Sequence, residues 1–210
     1  MRFPSSFVAR LSVWVTAACV VVSLLGCKFF GKKKGQLDYE SIGVDPKQAN
    51  ADTLIQGLAG PARKWKSDAV FYSANFNAVG ADGTVDLSAG GKVVYVSPRR
   101  VGSALKNQRK DAIKEFLLTK GYARHDKKLN ATKGWKNFSP VTLGCSIQQL
   151  TTILKDKGLT AGKKVKITYN PKLQGRFVPQ PSWRVTGDDP KVDAYYSLSN
   201  CDLVKDRLGG

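Results

Sequence analysis

Histidine, glutamate and cysteine are scarce in this chain. His125 is the only histidine, Glu40 and Glu115 are the only glutamates, and four cysteines stand among 210 residues. Each scarcity removes a class of chemistry. Any imidazole mechanism has to run through His125, whose neighbours Arg124, Asp126, Lys127 and Lys128 read as a solvated turn. Acid-base work and the Ser-His-Asp arrangement need an oriented ring instead, and no Gly-x-Ser-x-Gly run supplies a nucleophile. One histidine and a cysteine pair are too few for a zinc site. A hand-type calcium loop needs alternating ligands closed by a glutamate. Asp82, Gly83 and Asp86 lack that pattern and read as a hairpin turn. Asp188 and Asp189 sit beside Pro190 in a loop, with nothing to set their pKa values apart as paired-carboxylate catalysis requires. Gly158 to Lys164 has a superficial phosphate-loop look. Its glycines are one residue too close, and Lys164 stands where a Ser or Thr would hold magnesium. The expectation is a protein without catalytic residues, metal or cofactor.

Acidic charge is also in short supply. Thirty-four Lys and Arg face 16 Asp and Glu, a formal net charge of +18. Twelve of the basic residues fall between Arg99 and Lys136 with only three acids. Such clustering raises the local potential and draws anions, so Arg99, Arg100, Arg109, Lys110, Lys114, Lys127 and Lys128 are the candidate contacts for an anionic lipid or polysaccharide. A solvated helix face with loops explains the same residues without a partner. No nucleic-acid reader motif appears, so nucleic acid is not the expected partner. Tyr122 and Trp135 interleave with the lysines and read as packing residues.

The first 26 residues have the form of an export leader. Arg2 and Arg10 precede an apolar run from Leu11 to Leu25, and small residues lead up to Cys27. Leu24-Leu25-Gly26-Cys27 resembles the lipobox of bacterial lipoproteins. The resemblance implies cleavage before Cys27 and lipid on its thiol, which makes the protein a membrane-anchored component of the bacterial cell envelope. Lys28 follows the cysteine where enteric lipoproteins retained in the inner membrane carry aspartate, so the same analogy favours the outer membrane. Plain secretion and an uncut anchor are the competing readings, although a spanning helix wants about 20 apolar residues. Losing Arg2 and Arg10 lowers the net charge to +16 and leaves 184 residues, enough for one sizeable core or two small ones. Phe29, Phe30, Lys28 and Lys32 to Lys34 suit a headgroup region, since stable anchoring takes a second signal beside one acyl chain.

Cysteine use is consistent with export. Cys19 leaves with the leader and Cys27 takes lipid, so Cys145 and Cys201 remain as a pair. In an oxidising compartment they are expected to form a disulfide; two buried thiols are the alternative.

Beyond the leader, residues 27–48 read as a lipidated tether of Gly, Lys and polar residues. Asn50 to Lys66 predicts a helix capped by Asp52, with Leu54, Ile55 and Leu58 on one face and a break at Gly60-Pro61. Strands are predicted from Ala69, at Thr84 to Leu87 and at Lys92 to Ser97, with a turn at Asp82-Gly83. The spacing of Ala112, Ile113, Phe116 and Leu117 predicts a helix over Lys106 to Lys120, stopped by Gly121. Ser146 to Gln149 opens a second helix with a capping box, running to Lys157. Alternation at Val165, Ile167 and Tyr169, at Trp183 and Val185, and a run from Tyr195 to Leu203 predict three more strands. Helix-then-strands occurs near 50–97 and again at 146–204. The expected fold is therefore α+β, helices on antiparallel sheet, as two similar small lobes over 49–136 and 137–210. That order resembles exported modules of the PepSY or cystatin-like kind, which implies a binding surface or structural support more often than an active site. An envelope enzyme without a recognisable motif is the alternative.

Overall fold

Apolar and polar residues alternate through most of the folded chain, and that period of two builds one sheet. The computed structural model describes residues 35–103, 105, 107, 109–129, 141–171 and 180–208, with backbone alone for 126–129. Among them nine strands form: β1 (Gln36–Leu37), β2 (Val70–Gly80), β3 (Gly91–Val96), β4 (Ile113–Leu118), β5 (Ala123–Leu129), β6 (Lys164–Tyr169), β7 (Ser182–Asp188), β8 (Lys191–Ser197) and β9 (Leu203–Asp206). Their order is β1-β5-β4-β3-β2-β6-β7-β8-β9, and every neighbouring pair is antiparallel. With helices α1 (Ala51–Trp65), α2 (Pro98–Val101) and α3 (Ile147–Lys155), the fold is α+β.

Helix-then-strands does recur: α1 leads into β2 to β5, and α3 into β6 to β9. The two meanders run outward from one seam, where β2 pairs with β6, Ala74 opposite Tyr169 and Phe76 opposite Ile167. They share a core rather than standing apart on either side of residue 136. Leu54 and Leu58 of α1, Leu154 of α3, Phe76, Phe116 and Trp183 all belong to one buried cluster. Pairing satisfies two rows of backbone N–H and C=O that separate lobes would leave open. On the opposite face Tyr72, Val94, Val96, Ala112 and Ile113 make a smaller cluster closed by Val101 of α2. Elsewhere that face carries polar cross-strand pairs, such as Lys92 with Glu115 at 3.1 Å and Arg184 bidentate on Asp193 at 3.0 Å.

The helices meet at their N-termini. Asn50 caps α1 by accepting from Asp52 N at 2.8 Å. Asp52, expected to cap its own helix, serves the other one: its two carboxylate oxygens accept from Ile147 N and Gln148 N, both at 2.9 Å. Unpaired N–H groups and the positive end of the helix dipole favour an anion there. The expected capping box of α3 is present, with Ser146 and Gln149 each bonded to the other's backbone.

Five further expectations are corrected. The described residues between Lys106 and Lys120 do not form a helix; turns precede Ile113, and Ile113–Leu118 is β4. Its register with β3 is unbroken, so Ile113 faces the small cluster while Phe116 and Leu118 face the main one, and apolar residues on both faces produce a helix-like spacing within a regular strand. Short apolar runs carry that ambiguity. The expected tether over 27–48 is already folded from Gln36 onward, since β1 pairs with β5 and Tyr39 is only 2% exposed. The Tyr39 hydroxyl donates to Thr119 O at 2.7 Å and accepts from Thr119 N at 3.1 Å, and burial pushes its pKa up to about 12. Gly60-Pro61 does not interrupt α1. Leu54, Ile55, Leu58 and Ala62 bury along the whole helix, the Tyr95 hydroxyl donates to Ile55 O, and this packing outweighs the hydrogen bond lost at proline. At Gly57 an added Cβ would meet Ile42 O at 2.5 Å, so glycine lets α1 lie against the turn at Glu40–Ile42. Lastly, the run from Tyr195 to Leu203 is not one strand but the end of β8, a turn holding Cys201, and the start of β9. Thr84 to Leu87 contributes two isolated bridges only, Asn50 to Thr84 and Val79 to Val85.

Replacing Asp52 with alanine is expected to lower the unfolding free energy by about 1–2 kcal/mol. Asp52→Asn, which keeps an acceptor, should cost less. Urea denaturation of both variants checks this, and unchanged stability in Asp52→Ala would show that the carboxylate does not cap α3.

Candidate functional site

Cys145 and Cys201 are disulfide-bonded, with Cα atoms 4.9 Å apart. The bond joins the entry to α3 to the turn between β8 and β9, and Trp183 Nε1 donates to Cys145 O at 3.1 Å beneath it. Cys27 and its basic neighbours lie outside the described residues.

The basic residues do not share a helix face, because β4 replaces the expected helix. Arg99 and Arg100 lie on α2, and the loop after it brings Lys110 beside them. Arg100 donates to Lys110 O at 2.9 Å and Arg109 to Ser103 O at 3.4 Å, so both guanidinium groups also tie this loop together. Lys114 turns toward the helix side of the sheet, with its Nζ 3.2 Å from His125 Nδ1 and 5.9 Å from the centre of the Phe116 ring. Lys127 and Lys128 are on β5, and their side chains are not among the described atoms. Lys106, Lys133, Trp135 and Lys136 lie outside the described residues. Lys120 is at the far end of β4, about 20 Å along the sheet at a strand's rise per residue.

That far end holds a feature the sequence did not reveal, a cleft of about 890 Å³. The β2–β3 connection and the turn between α3 and β6 form its walls, with Pro46, Lys47 and Lys120 at its margin. Asp82-Gly83 makes the predicted turn. Gly83 has φ +79°, and Gln148 and Asn50 crowd the space a Cβ would need. Val85, Leu87 and Leu159 are buried beneath the cleft. Five lysines line it, Lys47, Lys120, Lys155, Lys163 and Lys164, against two acids, Asp82 and Asp86.

The acids are committed to the fold. Asp82 accepts from Thr84 N at 3.0 Å, and that bond holds its carboxyl below the usual range. Asp86 accepts from Lys164 Nζ at 2.6 Å and Ser88 N at 2.9 Å. Lys164 first, then Ser88, pull its pKa well below the ordinary carboxylate value. Groups so strongly ionised are poor general acids and weak bases near neutral pH. Lys163 pairs with exposed Asp189 at 2.7 Å. Lys47, Lys120 and Lys155 are exposed and form no ion pair among the described residues. The site thus presents an excess of ammonium groups over carboxylates around a mostly apolar hollow, with Lys155 partly balanced by Asp82. Among the described residues no cluster of three or more His, Cys, Asp or Glu could hold a metal, and no helix is long and apolar enough to cross a membrane.

No known family, curated protein or solved structure matches this chain significantly. The site therefore has to be read from its own chemistry. Lys155, Lys163 and Lys164 were visible as charge in the sequence. Their convergence with Lys47 and Lys120 was not legible, because it depends on which strands pair.

Removing both thiols as Cys145→Ser with Cys201→Ser should lower stability by up to about 4 kcal/mol, the chain-entropy value for a loop of this length, as chemical denaturation reads. The acid limb gives a second test. A folded-state pKa below the unfolded value near 3.9 means that Asp86 contributes stability above about pH 4. That contribution disappears as pH falls through the lower folded value. Asp86→Asn should therefore lose less stability than wild type between pH 5 and pH 2, and parallel losses would contradict the assignment.

Proposed function

We propose that the protein is a bacterial envelope lipoprotein whose folded part binds an anionic partner and carries out no catalysis. Residues 1–26 serve as the leader, Cys27 carries the lipid, and the outer membrane is the favoured location. The observation that carries the binding assignment is the asymmetry within the cleft. Its two carboxylates are occupied by turn and lysine contacts, while Lys47, Lys120 and Lys155 form no direct ion pair among the described residues and Lys155 alone of these feels a neighbouring carboxylate, Asp82. A nucleophile, a poised acid or a paired base would be needed for the enzymatic alternative, and Asp82 and Asp86 are the groups it would have to use. Their depressed pKa values weigh against that use.

The Arg99 to Lys128 region adds a second basic surface at the opposite end of the sheet. The strands of the sheet carry charge at both of their ends, which suits a role in binding or structural support at an anionic surface. A lipid on Cys27 would leave nine residues before Gln36, a reach of about 30 Å when fully extended. The folded part would then stay near the bilayer, within range of its headgroups.

Mass spectrometry of the mature protein should find an acylated cysteine at the amino terminus; a bare first residue or a retained leader would overturn the anchor. Reversing the charge of Arg99, Lys110, Lys127 and Lys128 together should weaken adsorption of the protein to anionic vesicles, most visibly at low salt. Unchanged adsorption would remove this surface from the proposal.

A further inference from the structure

The cleft has two chemistries side by side, and a bare anion uses only one of them. Pro46, Ala81 and Ala161 offer accessible apolar surface above a floor of buried Val85, Leu87 and Leu159, while Lys47, Lys120 and Lys155 stand exposed around it. A hydrated polysaccharide or inorganic phosphate gains nothing from an apolar hollow and leaves it filled with water. A neutral hydrocarbon gains nothing from the lysines. Small-ligand pockets are about 300–1,000 Å³, mostly apolar, with a few polar groups that orient the ligand, and at about 890 Å³ this cleft is of that size.

We infer that the cleft between the β2–β3 connection and the α3–β6 turn holds an anionic amphiphile with a single flexible apolar chain. Its phosphate or carboxylate head lies at Lys47, Lys120 and Lys155, and its chain lies against Pro46, Ala81 and Ala161. Lys164 and Lys163 remain with Asp86 and Asp189 and shape the wall. Charge complementarity selects the head, and apolar lining selects the chain. The inference rests on the reading of the protein as an anion binder and narrows it to one ligand class at one place. The cleft lies at the other end of the sheet from Arg99 and Lys110, so the two surfaces are tested separately.

The test uses the full chain in nanodiscs of zwitterionic lipid, with dodecyl phosphate carrying a photoactivatable group at the end of its chain. Cross-links mapped by peptide mass spectrometry should concentrate in 81–88 and 159–164. Unlabelled dodecyl phosphate should displace the label, whereas dodecanol and inorganic phosphate at the same concentration should not. Along a series from octyl to dodecyl phosphate, each methylene should improve competition about three- to fourfold until the hollow is filled. Lys47→Glu with Lys155→Glu should reduce labelling at least tenfold while the thermal transition is kept. Equal displacement by dodecanol, or labelling spread without preference for these segments, overturns the inference. Displacement by inorganic phosphate as effective as that by dodecyl phosphate also overturns it, yet leaves the anion-binding reading standing.

Discussion

The pairing of β2 with β6 is the contact on which the rest of the molecule depends. Residues about 95 apart in the chain are brought edge to edge there, Ala74 with Tyr169 and Phe76 with Ile167. Each half, a helix with a four-stranded meander, would otherwise end in an open row of backbone groups beside its own helix. Closing that row merges two small hydrophobic layers into one. Small domains bury proportionally less of their surface than larger ones, so the merged sheet is more favourable than two independent lobes. Asp52 reinforces the union above the sheet by lending the charge of one helix to the N-terminus of the other. The cleft depends on the same seam, since Gly80 and Lys164 are partners at its end and the loops leaving them form its walls.

Much of this architecture could be read in advance, and the failures share a cause. Alternation identified β6 and β7, a run of strand-forming residues ended by Pro98 identified β3, the capping box located α3, and cysteine use paired Cys145 with Cys201. These signals are local, or nearly so. The residues from Ile113 to Leu118 were misread because the strand is buried on both faces, Ile113 on one and Phe116 and Leu118 on the other, which leaves apolar residues at helical spacing. Gln36 to Val44 was misread because its few apolar residues look isolated in sequence, whereas Tyr39 finds its partners 80 positions away at Thr119. The same holds for the cleft. Lys47, Lys120 and Lys155 have no common motif, and only the fold makes them neighbours.

Charge is distributed with a simple logic across the structure. Acids are few, and the described ones mostly have positional duties: Asp52 at a helix terminus, Asp68 accepting from Ser97 and Arg99, Asp82 and Asp86 in turns, and Asp193 between Arg184 and Arg207. With the carboxylates so occupied, the excess of lysine and arginine stays electrostatically visible at both ends of the sheet. A field of one sign over separated surfaces speeds the approach of anions in general. Selectivity among them then has to come from shape, and the hollow beside Lys47, Lys120 and Lys155 is where shape is available.

The sheet also terminates in a telling way. Its outermost strands are the two-residue β1 and the four-residue β9, which carries Lys205 and Asp206. Long flat borders invite copies of a protein to zip together, and brevity with charge is how natural proteins discourage this. For a molecule confined to two dimensions by an acyl group, encounters between copies would be far more frequent than in bulk water. Blunt borders would let such a molecule crowd on a surface without polymerising.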